Sequence, residues 1–180
     1  MKKLMMMVVV AAAMFACGQQ KTEVANAEQA SADSLGGTMT GMDDKSKVIE
    51  AQMKAYAAQD TTYSGDGYAD NVQVFFPSDT VADLKDKKTF VADFKNQFKH
   101  WKDVKFDRPR VITLKLNNGE VWTNIWCVML AKGAFTGKDI LIPIHRAMLW
   151  QNDQIVRDIH LYDTKVVMDE IAARAAAKKK

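Results

Sequence analysis

The sequence predicts an α+β domain, with helices on its N-terminal side covering one face of a curved antiparallel sheet. Three observations predict it. Four strand-like runs follow one another between Val111 and Asp163, split by Asn117-Asn118-Gly119, by Gly133 and Gly137, and by Gln151-Asn152-Asp153-Gln154. Two stretches with helical apolar spacing precede them. The run 120–131 is apolar on both faces, with Val121, Ile125, Cys127 and Met129 on one and Trp122, Trp126, Val128 and Leu130 on the other. A face open to water alternates with polar residues, so both faces call for a cover. The protein's own helices cover one. A second copy of the sheet is the simplest cover for the other, unless a terminal helix wraps round it.

Composition bounds the function. Of 180 residues, 48% are hydrophobic and 26% charged, ordinary for one globular domain with additions. Removing Lys2, Lys3 and Lys178 to Lys180 from the 25 basic residues leaves 20 against 22 acidic ones. The body is near neutral, and the sequence pI of 8.8 does not signal nucleic-acid binding. Cys17 and Cys127 sit in unlike contexts, and neither a disulfide framework nor a metal-type spacing is present. No metal and no cofactor is expected.

Met1-Lys2-Lys3 followed by the apolar run Leu4 to Ala16 has the anatomy of a secretory signal, and thirteen residues are too few to span a bilayer. The run ends Met14-Phe15-Ala16-Cys17-Gly18, which resembles a bacterial lipobox with Cys17 as the lipidated residue. Met14 and Phe15 depart from the usual choices, and cleavage near Ala16 without lipidation gives ordinary secretion instead. Gly18 after the cysteine, rather than Asp, points by the same resemblance to the outer membrane. The domain scheme is signal peptide 1–17, disordered tether 18–42, folded domain 43–177 and lysine tail 178–180.

Asp43-Asp44-Lys45-Ser46 opens the first helix, with Ile49, Met53, Tyr56 and Ala57 on one face. Residues 68–77 read as a short strand stopped by Pro77. Thr89 is expected to cap a second helix running to Val104, with Phe90, Phe94, Phe98 and Trp101 as an aromatic stripe that packs on the sheet and lines any pocket. Val111 to Leu116, Glu120 to Ala131, Ile140 to Trp150 and Ile155 to Asp163 are the strands, with Pro143 at a bulge or edge. Residues 164–177, rich in alanine, close the chain as a helix.

This order resembles the nuclear transport factor 2-like fold, a cone-shaped family that includes SnoaL-like cyclases and ketosteroid isomerase. The resemblance rests on Asp60 after a helix and the strand Tyr68-Ala-Asp-Asn-Val-x-Val, on the aromatic helix ending at Trp101, and on 149–163 with its terminal Leu161-Tyr162-Asp163. It implies a pocket inside the cone and dimers through the outer sheet face. In the last strand Asp158, His160 and Tyr162 share one face, opposite Ile155, Ile159 and Leu161. Facing the pocket, Asp158 and His160 are catalytic candidates for acid and base; facing outwards, they are solvated or interfacial. His145, Tyr56, Phe94, Phe98, Trp101 and Tyr162 are candidate ligand contacts, with Tyr56 or Tyr162 as hydroxyl donor. Limonene-epoxide-hydrolase-like members carry a carboxylate where His160 stands and an Arg-x-Asp pair that 120–131 lacks, so that chemistry is not expected. Above the floor of a purely structural envelope domain, whose pocket is filled by Phe90, Phe94, Phe98 and Trp101, two functions remain. One is a lipid-anchored envelope domain that binds a small hydrophobic molecule or a partner without catalysis. The other is a SnoaL- or ketosteroid-isomerase-like enzyme that moves protons on a hydrophobic carbonyl compound.

Overall fold

In the computed structural model, which describes residues 33–77 and 81–178, the compact unit starts at Leu35. The signal sequence, Cys17 and most of the expected tether lie outside the described residues. The folded part begins before Asp43, because β1 (Gly37–Thr40) pairs antiparallel with β3 (Trp101–Leu116). It is followed by α1 (Asp44–Ala57), β2 (Tyr68–Phe75), α2 (Lys87–Gln97), β3, β4 (Val121–Gly133), β5 (Asp139–Gln151), β6 (Gln154–Tyr162) and α3 (Thr164–Ala177). The sheet order is β1-β3-β4-β5-β6-β2. It is mixed rather than wholly antiparallel, since β2 runs parallel to β6.

α1 starts where expected. The Asp43 carboxylate accepts from Ser46 N at 2.8 Å, and Ile49 and Met53 are buried. The same carboxylate accepts from Thr113 Oγ1 at 2.8 Å, Thr113 and Thr123 share a bond of 3.1 Å, and Trp150 Nε1 donates to Thr123 Oγ1 at 2.8 Å. Because Thr113 donates to the carboxylate, Thr123 must donate to Thr113. This polar line bolts the start of α1 across three strands.

Three expectations need correction. α2 is capped by Asp86, whose side chain accepts from Thr89 N at 2.8 Å, so Thr89 lies inside the helix. α2 ends at Gln97 rather than Val104, and Trp101 opens β3. β3 is 16 residues long rather than six, because register shifts between Lys102 and Lys105 and between Asp107 and Arg110 carry the ladder past Pro109. Asp103 (φ 54°) and Arg108 (φ 47°) adopt left-handed backbone there. Such bulges bend a strand and add twist, which curls the sheet around α1 and α2. Pro143 pairs with Val128 in the regular β4–β5 ladder; it is tolerated because β6 pairs only from Ile144 onwards.

Candidate functional site

Period-two alternation sets the inner face of the sheet. Ile125, Cys127 and Met129 on β4 face inwards with Ile142, Ile144, Arg146 and Met148 on β5, beneath α1 and α2. Trp126, Leu141 and Leu161 face out and are 42%, 62% and 51% exposed. On β6 the pairs Met148↔Asp158, Arg146↔His160 and Ile144↔Tyr162 place Asp158, His160 and Tyr162 on the inner side. Ile155 also turns inwards and is fully buried, contrary to the simple alternation, because the register shifts between Leu149 and Trp150 opposite it.

The result is a cavity of about 280 Å³ between the sheet, α1, α2 and α3, near the lower end of the usual range for small-molecule sites. Its walls are largely apolar. Tyr56, Phe94, Trp101, His160 and Tyr162 line it, together with Arg146, Asp93, Gln97 and His100. Phe98 packs edge-on against Tyr56 and Phe94 behind the wall and does not line it. Asp158 lies just beneath the floor, fully buried. His145 is the clear correction. It lies on the outer face, stacked on Trp126 at 4.8 Å, with Nε2 3.1 Å from Asn124 Oδ1, because its neighbour Arg146 takes the inward position.

The floor is a buried ion pair with its own hydrogen-bond shell. Arg146 Nη2 donates to Asp158 Oδ2 at 2.5 Å, and Arg146 Nε to Oδ1 at 3.3 Å. Tyr68 OH donates to Asp158 Oδ2 at 2.7 Å and accepts from Arg146 Nη2 at 2.8 Å and Gln52 Nε2 at 3.1 Å. Burial alone would raise the Asp158 pKa, but the Arg146 charge and then His160 outweigh it and hold the carboxyl well below the usual range. Asp158 is therefore a fixed anion and a poor base. Burial lowers His160, and Asp158 only partly restores it, so the imidazole is neutral at neutral pH. His160 Nε2 stands 3.2 Å from Asp158 Oδ1 but off the hydrogen-bond line, and is left without a partner. Tyr162 is pushed up to about 12, by burial first and the Asp93 charge second, and stays a neutral hydroxyl. Tyr56 is raised further, chiefly by burial; its hydroxyl donates to Gln97 Oε1 at 2.9 Å rather than into the cavity.

On the far wall, α3 is held by Glu170. This buried carboxylate accepts from Phe135 N, from Thr136 Oγ1 at 2.7 Å and from Thr136 N at 3.2 Å, all in the β4–β5 turn. Arg174 Nη1 reaches His100 Nε2 at 3.1 Å. Val167 and Ile171 of this helix face the cavity.

No protein-family model and no curated protein matches the chain. Solved structures do. A candidate isomerase from Bacillus subtilis superposes with a TM-score of 0.56 at 15% identity, over 71% of this chain and 91% of that one. A candidate SnoaL-like polyketide cyclase from a Jannaschia species gives 0.55 at 13%, over 77% and 99%. A Catenulispora acidiphila protein with a ketosteroid isomerase-like fold, solved with trimethylamine, gives 0.53 at 10%, over 65% and 85%. The chain has the nuclear transport factor 2-like fold. The cone encloses a cavity, as the resemblance implied, and Val167 and Ile171 of α3 complete its lining.

Within this nuclear transport factor 2-like cone, Arg146, Tyr68 and Asp93 belong to the site although they were not candidates from the sequence. Arg146 left a signal. It occupies the inward position in the alternation Ile142-x-Ile144-x-Arg146-x-Met148-x-Trp150, where an arginine demands an anion. Tyr68 left none, since a strand-opening tyrosine looks like core until Asp158 is seen against it. Asp93 lies between Phe90 and Phe94 of the aromatic stripe, a position that in sequence resembles the polar side of any amphipathic helix.

Proposed function

We propose that the domain is an enzyme that moves protons on a small, largely apolar carbonyl compound, with His160 as the base. The observation that carries this is the position of His160, between a fixed carboxylate and an apolar cavity, with neither ring nitrogen hydrogen-bonded to protein among the described residues. An ionised carboxylate can only accept, so Asp158 favours the tautomer with the proton on Nε2 and leaves Nδ1 as the acceptor. The Arg146 Nη1 donors carry no protein hydrogen bond among the described residues, and with Tyr162 OH they suit a carbonyl oxygen. Nδ1 takes the proton from the carbon beside the carbonyl. The C–H pair forms a carbon–carbon double bond, and the carbonyl π pair moves to oxygen beside Arg146. Where a β,γ double bond extends the enolate, the imidazolium returns the proton to the γ carbon, giving isomerisation; where the enolate carbon instead attacks a second carbonyl, the new alkoxide takes that proton, giving ring closure. The structural neighbours described as isomerases and cyclases support this class of reaction.

A second use of the cavity, binding without turnover, is favoured by one observation, the misaligned contact between His160 and Asp158. The two separate experimentally. In D2O, the protein is expected to accelerate deuterium exchange beside the carbonyl of tetralone, a small bicyclic ketone. His160→Gln should lower that rate by about a hundredfold or more. The wild-type rate should rise with pH through a value below 6.5, as the lowered His160 pKa requires. Saturable tetralone binding with no exchange would leave only the binding role.

We further propose that Cys17 carries a lipid that anchors the domain at the outer membrane of the cell envelope, which the lipobox-like sequence supports, and that two copies pair through the outer sheet face. The row Trp126, His145 and Leu161, flanked by Leu141, supports a second copy as its cover. Leu161→Asp is expected to shift a light-scattering mass from dimer to monomer while leaving tetralone binding intact. A wild-type monomer would remove the dimer.

A further inference from the structure

The cavity has a second pole that the proton-transfer scheme does not use. Asp93 projects from α2 into the lining. Gln97 Nε2 donates to Asp93 Oδ2 at 2.7 Å, and Gln97 Oε1 accepts from Tyr56 OH at 2.9 Å. The tyrosine fixes which way the amide faces, and the amide then ties down one carboxylate oxygen. Oδ1 carries no protein hydrogen bond, and no cation pairs with Asp93 among the described residues. The Asp158 charge is cancelled by Arg146 on the floor. Asp93 therefore leaves the lining one negative charge in excess, on an oxygen held ready and unused. Its field reaches across the cavity, since it adds to burial in raising Tyr56 and Tyr162. Asp93 is partly buried, and its free oxygen stands where a ligand in the cavity can meet it.

We infer that Asp93 selects the substrate: it takes a hydrogen-bond donor, a hydroxyl or a protonated amine, carried by the same molecule whose carbonyl meets Arg146. This rests on the proposed carbonyl site. The ligand class is thereby narrowed to a bifunctional compound with an acceptor at one end and a donor at the other. A purely anionic ligand is disfavoured, because the floor is neutral overall and the opposite wall is negative. Asn at this position keeps the shape but reverses the chemistry. Gln97 Nε2 holds the amide oxygen, which turns the amide NH2 towards the ligand, where a donor would face a donor.

The test is calorimetric binding of tetralone, of tetralone bearing a phenolic hydroxyl on the ring away from the ketone, and of the aminomethyl counterpart, to the wild-type protein and to Asp93→Asn. At least one donor-bearing compound is expected to bind about tenfold or more tighter than tetralone itself, the usual worth of a charge-assisted hydrogen bond. Asp93→Asn should abolish that advantage, read as the ratio of donor-bearing to plain tetralone within the variant, and circular dichroism shows that the variant is folded. An advantage confined to the aminomethyl compound assigns the donor as a cation; one confined to the phenol assigns it as a hydroxyl. Equal binding of all three by wild type, or an advantage that survives in Asp93→Asn, overturns the inference while leaving the carbonyl site standing. No binding of tetralone at all overturns the site and the inference together.

Discussion

Asp158→Ala is expected to cost about 3–5 kcal/mol of folding stability, the usual loss when one member of a buried ion pair is removed. Arg146 would keep its charge with only 13% of its side chain exposed, and the Tyr68 hydroxyl would lose its acceptor. The decisive comparison is with the double variant Arg146→Met, Asp158→Leu. Apolar replacements of similar volume remove both desolvation penalties, and such swaps are often neutral or stabilising. Urea denaturation of the two single variants and the double variant should therefore show strong coupling, with the double variant close to wild type. If Asp158→Ala lost less than about 1 kcal/mol, the network would have no structural weight.

The same pair sets the acid limb of stability. The folded Asp158 pKa is lowered, whereas in the unfolded chain the group titrates near 3.8. Its contribution is complete above that value and is lost as pH falls below it towards the lower folded value. His160 acts earlier and with the same sign. Its folded pKa also lies below the ordinary 6.5, because burial disfavours the charged ring. On acidification below 6.5 the unfolded chain takes up a proton that the fold resists, and stability declines. Chemical denaturation at a series of pH values should show the first decline in wild type and not in His160→Phe. The deeper, Asp158-dependent decline should be absent from the double variant.

Glu170→Ala is the second large effect. It strips three donors in the β4–β5 turn of their acceptor, and bonds to a charged group are each worth about 1.5–3 kcal/mol. Some of that loss returns as the turn meets water, so about 2–3 kcal/mol is expected. α3 has little else to hold it. Met168 and Ile171 are 59% and 41% exposed, and its apolar contacts come mainly from Val166 and Val167. The loss should therefore be local. Hydrogen exchange is expected to show the amides of α3 opening while those of β4 and β5 stay protected. Gly133→Ala should reproduce the effect, since a methyl there would stand 2.5 Å from Glu170 Oε2 and against Thr136 Oγ1. Uniform loss of protection across the sheet would show instead that α3 is part of the global core.

How far these features could be read from the sequence depended on their range. The strands of the β3–β6 meander and the two faces of β4 were legible, because alternation and Asn-Gly turns are local signals. The start of α1 at Asp43 was legible for the same reason. The extent of β3 was not, because Pro109 and the left-handed Arg108 look like a break to any rule that counts along the chain. The face of Asp158, His160 and Tyr162 could be narrowed to two choices but not decided until the β5–β6 register was known. Ile155 was assigned to the wrong face by a single bulge. The Asp93–Gln97–Tyr56 chain joins two helices about forty residues apart, and nothing in the spacing of either one announces it.

The parallel pairing of β2 with β6 has a consequence for the order of events in folding. Tyr68 and Asp158 are 90 residues apart, so closing this seam carries a large loop-entropy cost, and topologies dominated by such contacts fold slowly. During synthesis β2 leaves the ribosome with only a local bridge from Val74 to Leu84, and the rest of its pairing must wait for the last strand. Until then the chain has helices and a growing meander but no floor to its cavity. A ligand can thus act only on the finished molecule, and the step that completes the fold also completes the site.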